Sequence, residues 1–372
     1  MKIALVHDYI KEYGGAERVL EALHEIWPEA PVYTTVYLPE FLGPHKERFK
    51  DWKIVTSWMQ KIPFVGKLIS PMRVISPKIF EGFDFSPFDA VIVSATGAYF
   101  PNSIRTSSKT IHICYCHTPP RYLYGYPTAR DWKKHWWGRV LGEVANHFLR
   151  QTDFLSYQKP KYIIANSMEV KRRIEKFYRR ESFVIYPPVE MGIKKQELRS
   201  RNKRKYYLAG GRLARAKRID LAIEACNRLK LPLKVFGKGF GDYGEELKNL
   251  AGPTVEFVGE VSDSELLDLY EGAKALLFTA EYEDFGIMSV EAQSQGVPVI
   301  GLNQGGVKET VVDGKTGVLY KESSVDDLVS AIKRLEKLDL DPKDFIENAN
   351  KFNKERFKNE IKKFVESHAG TS

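Results

Sequence analysis

The feature that most limits the folds open to this chain is an alternation of short apolar runs with helical periodicity, carried through twice. In the first half, strand-like runs fall at Lys2–His7, Val32–Val36, Ala90–Ser94, Thr110–Cys116, Tyr162–Asn166 and Phe183–Tyr186. Helical stretches lie between them. Ala16–Trp27 repeats Val19, Leu20, Leu23 and Ile26 on one face, and Ser167 stands as an N-cap before Met168–Tyr178. Pro187-Pro188 stops regular structure, and after a charged connector the alternation restarts. Strands are predicted at Tyr206–Ala209, Leu233–Phe236, Val255–Val258, Ala275–Phe278 and Pro298–Gly301. Helices are predicted at Ile219–Leu229, Tyr243–Leu250, Asp263–Glu271, Ile287–Gln295 and Val325–Leu335, and Pro342–Ser367 reads as one or two amphipathic helices. Strands alternating with helices imply parallel α/β sheets. At 372 residues the chain exceeds what one core usually serves. The expected domains are 1–188, 189–345 and a C-terminal helical segment, 346–372. Two such domains leave a cleft between the carboxyl ends of their sheets, a favoured ligand position.

Composition removes several classes. Apolar residues are 43% and charged residues 28%, which excludes a mainly disordered or collagenous chain. Three cysteines (Cys114, Cys116, Cys226) are too few for a disulfide framework and point to a reducing compartment. MKIALVHDYI reads as a strand rather than a signal peptide, and no run of about 18 apolar residues offers a membrane span. The net charge of +9 is unevenly placed. Up to Pro188, 27 lysines and arginines face 18 acids; beyond it, 30 face 30. All six tryptophans (Trp27, Trp52, Trp58, Trp132, Trp136, Trp137) lie in the first part. Two halves so different are expected to meet different partners.

Four segments carry candidate chemistry. Gly14-Gly15-Ala16-Glu17-Arg18 follows the first strand and opens the first helix. Two glycines there allow close approach of a phosphate to helix amides, or form a plain strand–helix turn. Gly210-Gly211-Arg212-Leu213-Ala214-Arg215-Ala216-Lys217-Arg218 repeats the arrangement with clustered cations, which suits a diphosphate or a solvated basic face. Glu281-Tyr282-Glu283-Asp284-Phe285-Gly286-Ile287 leads into a helix carrying Glu291. Glu283 and Asp284 suit a helix start, whereas Glu291 sits among apolar neighbours and needs donors such as ribose hydroxyls. His112-Ile113-Cys114-Tyr115-Cys116-His117-Thr118-Pro119-Pro120-Arg121-Tyr122 ends a strand at the ligand edge, with His117 the functional candidate and the cysteines small core residues. Gly239-Phe240-Gly241-Asp242-Tyr243-Gly244 matches a dinucleotide fingerprint but follows the wrong strand of its domain, and reads as a turn.

Two stretches mix cations with aromatic rings. Trp52–Phe80 has five lysines and arginines and no acid, and includes Trp58, Lys61 and Lys67. Arg130–Arg150 places Trp132, Trp136 and Trp137 beside Lys133 and Lys134. Such mixtures suit an anionic membrane surface, single-stranded nucleic acid, or ordinary helices facing a core.

Together these segments resemble the retaining glycosyltransferases of family 4, which have the GT-B fold. The resemblance runs from Met1 to about residue 340. It rests on the E-x7-E pair Glu283/Glu291 with Phe285-Gly286-Ile287 between, on Arg212 and Lys217, and on the Gly14-Gly15 turn. The HTPPRY segment, Asn166-Ser167 and Tyr186-Pro187-Pro188-Val189 are similar to the mannosyltransferase branch that builds surface polysaccharides. The resemblance implies two Rossmann-like domains facing a central cleft, with the C-terminal helices crossing back to the first. It implies that Arg212 and Lys217 take a diphosphate and Glu291 the ribose. Glu283 and the amides of Phe285, Gly286 and Ile287 would hold the hexose, and Val261 would lie near the base. Gly14 and Gly15 would approach the diphosphate, and His117 would touch the sugar. Two positions depart from the family's pattern: Ala292-Gln293-Ser294 replaces a common Ala-Met-Ala, and Arg218 stands where many relatives have glycine.

The expected activity is transfer of a hexose, mannose from GDP-mannose, to a lipid-linked or growing saccharide, with retained configuration. No cofactor and no metal are expected: the sole D-x-D, Asp339–Asp341, lies far in sequence from the other candidates. The expected partners are the nucleotide sugar, the lipid-linked acceptor and an anionic membrane, not nucleic acid, and the expected place is the cytoplasmic face of the cell membrane. A UDP- or ADP-sugar donor, a nucleotide-sugar epimerase or phosphorylase, and a nucleic-acid-binding protein are the alternatives.

Overall fold

The computed structural model describes residues 1–128, 136–192 and 204–369. They divide into two compact units, the described residues of Met1–Gly125, Lys133–Pro188 and Lys354–Ser372 forming one, and those of Tyr126–Trp132 and Val189–Asn353 the other.

The first unit runs β1 (Ile3–His7), α1 (Gly15–Ile26), β2 (Val32–Thr34), β3 (Ile54–Thr56), α2 (Val65–Met72), α3 (Ser76–Glu81), β4 (Ala90–Ala95), β5 (Ile111–Cys116), α4 (Trp136–Ser156), β6 (Tyr162–Ala165), α5 (Met168–Tyr178) and β7 (Phe183–Val184). All pairings are parallel, in the order β3-β2-β1-β4-β5-β6-β7. Alternate residues of each central strand enter different cores. Ala4 and Val6 pack with Val91, Val93 and Cys114 on one face; Ile3 and Leu5 pack with Ala90, Ile92 and Ile113 on the other. Burial on both faces explains why these strands read as continuous apolar runs.

The second unit runs β8 (Tyr206–Gly210), α6 (Ile219–Leu229), β9 (Leu233–Phe236), α7 (Tyr243–Leu250), β10 (Val255–Gly259), α8 (Asp263–Gly272), β11 (Ala273–Phe278), α9 (Ile287–Ser294), β12 (Val299–Leu302), α10 (Val307–Thr310), β13 (Gly317–Tyr320), α11 (Val325–Lys337) and α12 (Pro342–Asn350). Its sheet is also parallel, in the order β10-β9-β8-β11-β12-β13. The last helix, α13 (Lys354–Ala369), belongs to the first unit, where Phe357, Ile361 and Val365 join the core that α1 covers with Val19, Leu20 and Leu23.

Two strands are absent from the sequence reading. β3 is three residues long beside the polar Lys53 and Ser57. β13 begins at Gly317, which reads as a turn residue; its backbone instead runs so close to β12 that a Cβ would lie 1.9 Å from the Val299 carbonyl oxygen. The fingerprint-like glycines form a turn, as expected: Gly239 and Gly244 approach each other so that a Cβ on either would fall 3.0 Å from the other's Cα. The cysteines are buried and form no disulfide with one another, and burial pushes the thiols of Cys114 and Cys226 up to about 12. Asp341 of the D-x-D caps α12 by accepting from Lys343 N.

Asp153 on α4 is a buried acid within the first unit. Its Oδ2 accepts from Tyr124 Oη at 2.7 Å and Tyr178 Oη at 2.8 Å, and burial pushes its carboxyl from 3.8 up to about 7. The folded state therefore binds this proton more tightly than the unfolded chain. Its stabilising contribution is complete below about pH 4 and is lost as pH rises through about 7, at about 1.4 kcal/mol per pH unit within that window. Asp153→Asn keeps an acceptor for both tyrosines. Melting curves recorded from pH 5 to 8 are expected to fall less steeply for this variant than for the parent, with the variant the more stable at pH 8.

Candidate active site

In the second sheet the chain passes from β8 to β9 on one side, and β11 lies on the other, so strand order reverses between β8 and β11. Loops leaving the carboxyl ends of two such strands part from each other, which is where open α/β sheets hold ligands. The two loops here are 211–218 and 279–286. They are tied together: Glu281 N donates to Ala216 O at 3.0 Å and Thr279 Oγ1 to Lys217 O at 2.8 Å. Lys217 Nζ reaches Glu283 Oε2 at 2.7 Å, and Arg218 Nη1 reaches Glu281 Oε1 at 2.6 Å. Lys217 and Glu283, chosen separately from the sequence, are thus in contact.

Glu281 has a local task, since Arg218 and Ser323 Oγ both donate to it and Arg218 also grips Asp220. Arg218 has φ +47, a left-handed conformation at the N-cap of α6. That backbone accounts for glycine being common at this position in the resembled family, and the Asp220 and Glu281 contacts hold the arginine there. Gly210 and Gly211 are needed by the fold: a Cβ on Gly210 would lie 2.4 Å from the Phe236 carbonyl oxygen, and Gly211 has φ +102. Arg212 is exposed on the same loop, and Val261, after β10, is partly buried.

Gly286, with φ +90, turns the chain into α9. Phe285 is 2% exposed and packs edge-on against Phe352 at 5.3 Å, so its ring anchors the loop while only its backbone remains for a ligand. Glu291 is buried on α9, as its apolar neighbours imply. Gln293, replacing the family's methionine, donates to Ser289 O and Thr310 O and accepts from Asn348 Nδ2. Its polar atoms join α9 to α10 and α12, which is why a buried amide is tolerated there. Gly305-Gly306 went unassigned in the sequence. Gly306 N donates to Glu283 O at 2.8 Å, and a Cβ on Gly305 would stand 2.3 Å from that same oxygen. This pair sets the height of the Glu283 backbone, and its only sequence signal is a Gly-Gly between β12 and α10.

The first sheet reverses order between β1 and β4. At that edge His117, 8% exposed, has Nε2 at 2.8 Å from Ser94 Oγ. Ser94 Oγ lies 3.0 Å from His7 Nδ1, and His7 Nε2 lies 3.4 Å from Glu17 Oε1. Asp8 is buried beside them and accepts from Thr96 Oγ1, Ala98 N and Tyr99 N. Burial raises its carboxyl above the ordinary value, chiefly by desolvation. Gly14 has an extended backbone, and a Cβ there would touch only Glu17 Oε2 at an ordinary 3.4 Å, so the fold itself does not demand glycine. Gly15 is the first residue of α1. His7, Asp8, Glu17 and Ser94 were not selected from the sequence, because nothing in local spacing says that residues 87 apart will share a hydrogen bond.

Among the surface candidates, Trp58, Lys61 and Lys67 are exposed, together with Phe64. The rest of Trp52–Phe80 is mixed, since Met59, Val65, Ile69, Ile79 and Phe80 enter the core. Trp132, Lys133 and Lys134 lie outside the described residues, as do the side chains of Trp136 and Trp137.

Residues 191–352 match the family described as glycosyl transferases group 1. The matched residues lie within the second unit. The glycogen synthase of Mycobacterium tuberculosis (strain CDC 1551 / Oshkosh) is 32% identical over 131 residues, 33% of this chain and 32% of its own length. The chain therefore spans about a third of that synthase. The alpha-1,3/1,6-mannosyltransferase alg2 of Schizosaccharomyces pombe is 26% identical over 86% of this chain and 70% of its own. The solved structure of Anabaena Alr3699/HepE in complex with UDP and glucose superposes with a TM-score of 0.70 at 18% identity, covering 99% of this chain and 100% of its own. The fold is accordingly GT-B, two Rossmann-like parallel-sheet domains.

Gly305 offers a test of how the 279–286 loop is supported. Gly305→Ala combines φ +64 with the collision at Glu283 O and is expected to destabilise the protein by about 2–4 kcal/mol. Gly241→Ala, at φ +61 with open space around it, is expected to lose only about 1 kcal/mol. Denaturant unfolding of the two variants measures the difference.

Proposed function

We propose that the protein is a retaining glycosyltransferase that moves a hexose from a nucleoside diphosphate sugar to a lipid-linked or growing saccharide, with mannose from GDP-mannose as the expected donor. The observation that carries this reading is the Lys217–Glu283 contact at the reversal of the second sheet, followed by the buried Glu291. A cation, a carboxylate one loop away and a second carboxylate on the next helix suit, in turn, a diphosphate, a sugar hydroxyl and a ribose. In this reading Lys217 and Arg212 neutralise the charge that grows on the departing diphosphate. The amides at Phe285, Gly286 and Ile287 add the positive end of α9. Glu283 orients the hexose, and Val261 lies near the base. The bond from the anomeric carbon to the phosphate oxygen breaks, and the acceptor hydroxyl forms its bond from the same face. Its proton passes to the phosphate oxygen that leaves, so no protein nucleophile and no metal are required. In the first unit, Gly14, Gly15 and His117 are the residues proposed to bind ligand.

The mannosyltransferase alg2, aligned over 86% of this chain, supports mannose. The UDP and glucose held by Anabaena Alr3699/HepE support a second reading, in which the donor is a UDP-hexose. A thermal-shift panel of GDP-mannose, UDP-glucose, UDP-galactose and ADP-glucose separates them, because a ligand that binds only the folded state raises its melting temperature. GDP-mannose is expected to give the largest rise; a rise with UDP-hexoses alone would replace the mannose reading by the second. Glu291→Ala is expected to weaken nucleotide binding by about tenfold to a hundredfold, the loss of one or two hydrogen bonds to a charged acceptor. Unchanged nucleotide affinity in that variant would remove Glu291 from the ribose.

The membrane part of the proposal rests on the first unit's surface. Trp58 is 55% exposed and Phe64 81%, with Leu68, Lys61 and Lys67 exposed nearby, and Phe64 is held at φ +56 as the N-cap of α2. Among the described residues no helix is long and apolar enough to cross a membrane, so contact by this surface is the proposed mode. It would place the enzyme at the cytoplasmic face of the cell membrane, where an anionic leaflet attracts the cations. Sedimentation with vesicles containing anionic lipid is expected to carry down the parent and to lose most of a Trp58→Ser/Phe64→Ser variant. Equal retention of both on vesicles, or tighter binding of single-stranded oligonucleotide at the same salt, would count against it.

A further inference from the structure

Lys217 and Glu283 are each assigned to a ligand group above, yet each is already engaged by the other. Lys217 Nζ donates to Glu283 Oε2 at 2.7 Å, the length of a charge-assisted hydrogen bond. Their side chains are 27% and 17% exposed, so water and salt screen the pair less than they would on an open surface. Both residues belong to the second unit.

The surrounding contacts keep the two groups within reach of each other. Lys217 N donates to Ala214 O at 2.8 Å, and the Lys217 carbonyl oxygen accepts from Thr279 Oγ1 at 2.8 Å. The Glu283 carbonyl oxygen accepts from Gly306 N at 2.8 Å, with Gly305 close against it. With both backbones held, it is the side chains that adjust when a ligand arrives. The neighbouring carboxylate, Glu281, is committed elsewhere, accepting from Arg218 Nη1 and Ser323 Oγ, both at 2.6 Å. A diphosphate drawn to Lys217 therefore meets a carboxylate that repels it and competes for the same ammonium. A hexose changes that balance. A sugar hydroxyl donating to Glu283 satisfies the carboxylate without the lysine and separates it from the phosphate oxygens.

We propose that Glu283, by holding Lys217, makes the site discriminate between the intact donor and the sugar-free nucleoside diphosphate, so that the product is bound weakly once the hexose has left. The inference rests on the assignment of the diphosphate to Lys217 and of the hexose to Glu283 made above. A site that gripped its product as firmly as its substrate would be slowed at release, a step that limits the rate of many enzymes.

Glu283→Gln separates the two roles. The glutamine keeps the length of the side chain and an oxygen that accepts from a hydroxyl, but it has no charge with which to hold the ammonium or repel a phosphate. Titration calorimetry of the full chain with GDP, UDP and ADP, and with the nucleoside and nucleotide sugar of whichever base binds, measures the outcome. Glu283→Gln is expected to bind the nucleoside diphosphate about tenfold more tightly, the nucleoside as the parent does, and the nucleotide sugar no more tightly than the parent. In transfer assays the inhibition constant of the released diphosphate is expected to fall by the same factor. A pair that served only the fold would, when broken, loosen all three ligands together. Glu283→Asp, which withdraws the carboxylate by one methylene, is expected to shift diphosphate affinity in the same direction and gives the same test if the glutamine disturbs folding. Equal or weaker diphosphate binding by a folded variant, or an equal gain for the nucleotide sugar, overturns the proposal. Lys217→Met checks the assignment beneath it and is expected to weaken diphosphate binding about tenfold. Weakening by Lys217→Met without strengthening by Glu283→Gln removes this inference and leaves the reading of the site. Unchanged diphosphate affinity in Lys217→Met, or no binding of any of the three diphosphates, removes both.

Discussion

Parallel strands can be joined only by crossovers, and that constraint arranges everything functional in this molecule. Each crossover returns the chain to the same end of the sheet, so the loops after the strands collect at one edge. Where strand order reverses, two neighbouring loops leave in opposite directions and a depression opens. β1 and β4 do this in the first unit, β8 and β11 in the second. His7, Asp8, Ser94 and His117 lie at one such edge, and Lys217, Glu281, Glu283 and Gly286 at the other. The strands themselves contribute packing; the chemistry stands at their carboxyl ends and on the loops beyond.

Each edge is then stiffened by contacts that consume part of its polar inventory. In the second unit, Arg218 binds Glu281 and Asp220, which secures a left-handed residue at a helix start and removes one carboxylate from the ligand's reach. Gly305 and Gly306 lie against the Glu283 backbone from beneath. In the first unit, Asp8 holds the Thr96–Tyr99 turn through three donors. A ligand pocket needs groups that stay in place when it is empty, and these contacts supply that rigidity at the level of individual loops.

Glycines illustrate how the demands of fold and ligand can be told apart. Gly210, Gly305 and Gly317 are imposed by neighbouring backbone, since a Cβ would overlap a carbonyl oxygen in each case. Gly14 is not, having an extended φ and room for a methyl group. From sequence all four look alike. The Gly210-Gly211 turn is explained by β9 lying against it, whereas the packing around Gly14 does not require a glycine.

The α/β class, most strands and helices, and the pairs Glu283/Glu291 and Arg212/Lys217 as candidates were legible in the chain alone, because periodicity and short motifs are local properties. Helices α5, α6 and α7 could be read to their ends, since caps and stops such as Ser167 are written beside them. β3 and β13 could not, because a short edge strand is defined by its partner and not by its own composition. It took the assembled sheets to bring Lys217 onto Glu283, to give Glu281 to Arg218 rather than to a ligand, and to connect Glu17 with His117 through His7 and Ser94. Those contacts depend on which strands lie side by side, and a parallel sheet makes neighbours of residues far apart in the chain without leaving a trace in the spacing between them.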